Sequence, residues 1–364
     1  MKVKKNILQK VIRKLFILQL SIFILLAACS EVTEVESNND GVLVDSVYYD
    51  TIQEAIDNAA DEDTLFLTKG VYAGTGNKNL TWDGLEKHIV ITSFNFPELA
   101  DETIIDCGGK GSAFDFDGSH QNISDVIQGI TIQNTGNSTW DSGIYCEDVS
   151  ITITHVYFLG CDWTAVYMDD SNTIIENCNF YDNLVAVMAD YDSSPNIRTC
   201  VFEDNYESIF ARETASPYII NSLIAYNERG IHCLENSSAH LVNNTITNND
   251  NFGVKIYNAE GSSLKNSIIW NNEYGLDTGT DSIYVTHSCL QNSNEWTLVD
   301  SLDNIFEDPM FVGEGFYNLR HGSPCIDEGD NSFLENIEYD LDGNPRISNY
   351  VVDMGAFEFQ QGLK

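Results

Sequence analysis

Positive charge is what this chain has least of. Its 364 residues carry 18 Lys+Arg against 56 Asp+Glu, a formal net charge of −38. Six of the 18 basic residues and none of the 56 acidic ones fall within residues 1–28, so the remainder is more acidic still. Such a surface repels nucleic acid and anionic membrane faces, which excludes nucleic acid as an expected partner. Polyanionic substrates are also slowed, unless basic residues are concentrated locally. Long helical stripes are missing too: past the leader, only Thr51–Ala60 places apolar residues on one helical face. The longest apolar run, Leu15 to Leu26, falls short of the ~20 residues a membrane span needs. With 43% hydrophobic residues the chain nevertheless has enough apolar side chain for a large core.

Residues 1–28 read as an export signal: Lys2, Lys4, Lys5, Lys10, Arg13 and Lys14 precede the apolar run. Leu26-Ala27-Ala28-Cys29 resembles the lipobox of bacterial lipoproteins. The resemblance implies cleavage before Cys29, its acylation, and a membrane-anchored place in the bacterial envelope, at the outer membrane or cell surface. Residues 29–41 then form a flexible acidic tether.

The main signal is repetition. Segments begin at Ile151, Thr173, Pro195, Pro217 and Ala239, each 22 residues after the last, and a sixth begins at Ser262. Stacking them aligns Ile153, Ile175, Ile197, Ile219, Leu241 and Leu264 in one apolar column. A second holds Phe158, Phe180, Phe202, Ile224, Ile246 and Ile269, and a third Ala165, Val187, Ile209, Ile231, Val254 and Leu276. Local alternation of apolar and polar residues marks short strands with one buried face. Asn177, Asn221, Asn243 and Asn266 share one polar column, with His155 and Thr199 as exceptions; Asn183, Asn205, Asn227, Asn249 and Asn272 share another. Asparagine tolerates left-handed backbone, and its amide bonds to the one above and below, so both columns are expected at repeated sharp bends. Val126 to Ser150 reads as one more coil, with Gly129 in the bend and an insertion around Gly136 to Asp141. Cys178 and Cys200 occupy one column in adjacent coils and are expected as buried thiols.

The expected fold is all-β: a single-stranded right-handed parallel β-helix over residues 42–300, with a capping helix at Thr51–Ala60 and a loop-rich C-terminal cap over 301–364. Ile52, Ala55, Ile56 and Ala59 form the apolar face of the helix, and Asp50 or Thr51 caps it.

Thr51-Ile52-Gln53-Glu54-Ala55-Ile56, Asp63-Thr64-Leu65-Phe66-Leu67 and Lys69-Gly70-Val71-Tyr72 resemble the opening of pectate-lyase-like β-helix proteins. Asp308-Pro309-Met310-Phe311, Gly322-Ser323-Pro324-Cys325-Ile326-Asp327, Asp340-Leu341-Asp342-Gly343-Asn344-Pro345-Arg346 and Asp353-Met354-Gly355-Ala356-Phe357-Glu358 resemble the choice-of-anchor Q segment of exported bacterial proteins. The first resemblance implies a cleft along the sheet whose strands include Gly230 to Cys233. Its outward residues are expected as Tyr145, Val166, Met188, Phe210, His232, Lys255 and Asp277 in one column and Glu147, Met168, Asp190, Arg212, Leu234, Tyr257 and Gly279 in the next.

Here the scarce positive charge collects: Arg212, Arg229, His232 and Lys255 fall on three successive coils. Such a patch suits an acidic sugar. A cation would neutralise a uronate carboxylate and a second base would remove the neighbouring proton, with Arg212, Lys255 and His232 as the catalytic candidates. Arg229 adds a binding contact; Tyr145, Phe210 and Tyr257 are stacking candidates; Asp190, Asp192, Glu213 and Glu235 are oxygen donors for Ca²⁺. The competing reading is structural pairing of Arg212 or Lys255 with Glu213, Glu235 or Asp190 across coils. The polygalacturonase set is unmatched, since no Gly-His-Gly occurs. Three functions follow: a monomeric polysaccharide-binding lipoprotein, a Ca²⁺-assisted polysaccharide lyase, or an adhesin-like protein contact. Arg212→Ala with Lys255→Ala is expected to abolish glycan binding without disturbing the fold.

Overall fold

The computed structural model describes residues 41–82, 87–97, 100–118, 125–258, 261–279, 281–291, 298–334 and 337–360. The leader, Cys29 and nearly all of the 29–41 tether lie outside these residues.

Three long sheets, of thirteen, ten and eight strands among the described residues, run side by side along a parallel solenoid. Each coil contributes one strand to each sheet, as in Ile174–Glu176, Asn179–Tyr181 and Val185–Asp190. The first apolar column is in register from Ile153 through Ile175, Ile197, Ile219 and Leu241 to Leu264. In the second, the Phe158, Phe180 and Phe202 rings stack at 4.8 and 4.6 Å, nearly coplanar, and none is exposed.

The third column holds a slip. Val187 pairs with Val166, not with Ala165. The bend still obeys the 22-residue period, because the Cys161 amide donates to Asn183 Oδ1. The coil therefore carries an additional residue between Cys161 and Thr164 and recovers the period before Ser171, whose amide donates to Ser193 Oγ.

Both asparagine columns sit at bends, but they do different work. At the first, His155, Asn177, Thr199, Asn221, Asn243 and Asn266 all have φ between 48° and 54°. Gly129 occupies the same bend at φ 63°, where a Cβ would stand 2.3 Å from the Phe96 ring. At the second, the left-handed residue is the one before the asparagine, as in Asp182, Asp204 and Tyr226. These asparagines form a continuous amide ladder: Asn183 donates to Asn205, Asn205 to Asn227, Asn227 to Asn249 and Asn249 to Asn272, all at 2.8–3.0 Å. Only this second column is a ladder throughout.

At the N-terminal end the helix Ile52–Asn58 buries Ile52, Ala55 and Ile56, and Thr51 Oγ1 caps it by accepting from the Glu54 amide. A hairpin, Val42–Val44 with Val47–Tyr49, pairs antiparallel with Thr64–Leu67, covering the edge of the first strand. Alternation over so few residues had not separated this hairpin from the solenoid. A sheet edge left open would invite further pairing, and the hairpin removes part of it.

The C-terminal segment is loop-rich and lies along the flank of the solenoid. Asn221 Nδ2 donates to the Tyr339 carbonyl and Asn243 Nδ2 to that of Asp353, both at 3.1 Å. The Gly355 amide donates to the Asn266 carbonyl at 2.7 Å. The first asparagine column thus seats this segment. Tyr317, Ala356 and Phe357 pack against Leu223 and Ala225, and Leu319, Cys325 and Met354 against Ile268 and Cys289. Within the segment Arg346 is buried among Asp340, Asp353 and Glu358. Burial, ahead of mutual repulsion, pushes Glu358 up to about 7. Asp353 rises to about 6, again chiefly through burial.

Candidate functional site

The outer face of the eight-stranded sheet presents three columns. One runs Thr164, Val185, Glu207 and Arg229, in register. The next runs Tyr145, Tyr167, Met188, Phe210, His232, Lys255 and Asp277. The third runs Glu147, Asp169 and Asp190, with Arg212 on the following coil beside Asp190. Val166 and Met168, expected outside, are fully buried. The additional residue at Cys161–Thr164 moves them inward and puts Tyr167 and Asp169 in their places.

The four basic residues come together on this face, and each meets a carboxylate. Arg212 Nε and Nη2 donate to Asp190 Oδ1 and Oδ2, both at 2.7 Å, and Asp190 is 0% exposed. Tyr167 adds a third bond to Asp190 Oδ2 at 2.9 Å. His232 Nδ1 lies 2.7 Å from Glu207 Oε1, and Arg229 Nη1 lies 3.7 Å from Glu207 Oε2. Lys255 Nζ lies 3.5 Å from Asp277. The bidentate bonds to Asp190 hold the Arg212 guanidinium in its charged form. Arg212 is therefore committed to Asp190, while the contact of His232 with Glu207 engages its Nδ1.

Aromatic rings line the same face. Trp140, in the insertion loop, is 54% exposed and has φ 90°. It meets the stacked Tyr145 and Tyr167 rings edge-on at 6.1 and 5.6 Å. Tyr145 donates to Glu147 at 2.7 Å, and beside it burial and Glu147 raise Asp169 to about 6. Phe210 and His232 continue the stack at 5.3 Å. At the other end Tyr257 is 54% and Tyr274 61% exposed.

Residues 142–290 match the family model for the right handed beta helix region. This chain is a right-handed β-helix. Several solved structures are similar to it. XylC, determined in complex with xylose, has 12% identity and a TM-score of 0.52, over 81% of this chain and 65% of that one. The A-module of the mannuronan C-5 epimerase AlgE4 of Azotobacter vinelandii has 18% identity over 70% and 71% of the two chains, at 0.46. The pectate lyase Pel9A has 14% identity over 84% and 90%, at 0.46. No curated protein matches the chain.

In this β-helix the four acidic residues expected to hold Ca²⁺ do not converge. The Asp190 carboxylate is occupied by Arg212 and Tyr167, and Asp192 accepts from Thr214 Oγ1 at 2.7 Å. Glu213 and Glu235 sit in the next bend, at φ 52° and 56°. Among the described residues no group of three or more His, Cys, Asp or Glu could hold a metal ion. Asp190, Asp192, Glu213 and Glu235 therefore form no shared carboxylate cluster.

Arg212 was expected as an exposed side chain; it is paired with the buried Asp190, whereas the side chain of Asp277, the partner of Lys255, is partly exposed. Sequence reasoning missed Glu207, Tyr167, Asp169 and Trp140. Glu207 was visible as the acid 22 residues before Arg229. Tyr167 and Asp169 were hidden by the slip. A separate groove lies on the flank, between Asn177, Arg198 and Asn221 of the bends and Glu338, Tyr339 and Asp340 of the C-terminal segment.

Proposed function

We propose that this chain is an envelope-anchored protein that binds a polysaccharide along the outer face of its eight-stranded sheet. The observation that carries the reading is the arrangement of exposed rings: Trp140 at one end, Tyr257 and Tyr274 at the other, with paired charges between them. From the coil of Tyr145 to that of Tyr257 there are five inter-strand steps, or roughly 24 Å at the usual strand spacing. A chain of several sugars fits that length, its rings stacking at the two ends and its hydroxyls meeting ion-paired groups in the middle. Paired side chains are pre-oriented, so little rotamer freedom is lost on binding. Acylated Cys29, after the lipobox-like Leu26-Ala27-Ala28, would hold the protein at the membrane.

The commitment of the Arg212 guanidinium to the buried Asp190 favours binding over β-elimination. The test mixes the protein with uronate and neutral polymers and follows both retention and ultraviolet absorbance. Retention of at least one polymer without unsaturated product is expected. Steady growth of ultraviolet absorbance on a uronate polymer would replace binding with lyase activity; retention of none would remove the reading.

A further inference from the structure

We propose that Cys289 and Cys325 are a disulfide site, whose closure fastens the C-terminal segment to the solenoid.

All eight cysteines among the described residues are buried and carry free thiols. Two pairs are neighbours, Cys178 with Cys200 on adjacent coils and Cys289 with Cys325 in one apolar cluster. The pairs differ in what surrounds them. Cys178 and Cys200 occupy equivalent places on adjacent coils, where Asn179–Tyr181 and Val201–Glu203 are locked in parallel register. Each of their sulfurs donates to a carbonyl of its own coil, at Glu176 and Arg198, both at 3.2 Å, whereas Cys289 Sγ donates to the Glu307 carbonyl, outside its strand, at 3.3 Å. A bond there would pull two rungs of a regular ladder out of spacing.

Cys289 and Cys325 join two different parts of the molecule. Cys289 is on the strand Cys289–Leu290 of the solenoid, whereas Cys325 follows Ser323-Pro324 in the irregular C-terminal segment. Both are 0% exposed and share one apolar cluster with Ile268, Leu319 and Met354. The backbone at Cys325 is held by the Ser323 hydroxyl and by Met354, not by a ladder, so it can adjust to disulfide geometry. A bond between distant parts of a chain restricts the unfolded state more than one within a local turn.

The chemistry requires an oxidant, here a small-molecule disulfide. One protein thiolate attacks it and expels a thiol; the second thiolate then attacks the mixed disulfide and expels the other. Two protein thiols thus lose two hydrogens and two electrons, the S–S bond forms, and the oxidant becomes two thiols. The contact with Cys325 and burial both raise the Cys289 thiol, so exchange in the folded protein is slow and closure belongs to folding.

The test refolds the full chain in oxidised and reduced glutathione mixtures, traps remaining thiols by alkylation under denaturing conditions, and maps the peptides. A linked peptide containing Cys289 and Cys325, two hydrogens lighter than the sum of its parts, is expected, with Cys178 and Cys200 alkylated. Amide exchange over 311–359 should then be about tenfold slower in the oxidised protein than in the reduced one. Alkylation of both Cys289 and Cys325 at the most oxidising ratio overturns the proposal. A linked peptide with unchanged exchange over that segment overturns the fastening.

Discussion

Asn205→Ala is expected to lower the free energy of unfolding by about 4 kcal/mol, since each buried polar group it strands costs roughly 1–3 kcal/mol. Asn205 Oδ1 accepts from the Asn183 amide at 3.1 Å and from its Nδ2 at 2.8 Å. Its own Nδ2 donates to the Phe180 and Glu203 carbonyls and to Asn227 Oδ1. Alanine strands all of these in the interior, where water does not enter freely. Coils in a solenoid stabilise only their neighbours, so the loss should be felt as a weakened middle. Urea titration followed by circular dichroism measures it. A change under about 1 kcal/mol, the net worth of one ordinary hydrogen bond, would show that the ladder is not what holds the bends.

Arg212→Ala is expected to cost about 3 kcal/mol, because removing one partner of a buried ion pair leaves the other charge uncompensated. Asp190 is fully buried and two of its bonds come from that one guanidinium. Lys255→Ala should cost ~0.5 kcal/mol or less, since the side chain of its partner Asp277 is 43% exposed and stays hydrated when left alone. The contrast is the informative part, because both residues belong to one basic cluster. Denaturation of the two single variants, with Arg212→Ala/Asp190→Asn as the rescue, separates them. Asparagine removes the stranded charge, so the double variant should recover part of the loss. Equal, small effects at both positions would mean that Arg212 is only a surface charge.

The solenoid was legible because its bends repeat. A left-handed residue recurs at each first bend, and an amide ladder fixes each second one, so the period appears in the sequence as columns of asparagine. The apolar columns were legible for the same reason. Trp163 breaks this reading locally: a residue gained in one bend and lost in the next leaves the overall period unchanged while reversing which side chains face out. A period of two makes any such slip exchange the two faces. That is why Tyr167 and Asp169 were replaced by Val166 and Met168 in the expected site. The basic cluster was legible as composition, and the pairing of Arg212 with Asp190 was among the alternatives the sequence offered; the pairing of Arg229 and His232 with Glu207 was missed. Glu207 begins a strand, and the direction of a side chain at a strand end depends on the bend before it. The docking of the C-terminal segment onto Asn221, Asn243 and Asn266 had no periodic signature at all.

A polysaccharide bound as proposed lies on the eight-stranded sheet between its exposed rings. Replacing Trp140 tests that placement most directly, because its ring is exposed on this face and its loop lies outside the apolar columns of the solenoid. Affinity for the polymer retained by the unaltered protein should be measured for Trp140→Ala and for Val71→Ala, an exposed apolar residue on a strand of the ten-stranded sheet. Loss of one stacking contact is predicted to weaken binding by about tenfold for Trp140→Ala, with Val71→Ala unchanged; equal affinity for both variants would contradict the placement of the glycan on this sheet.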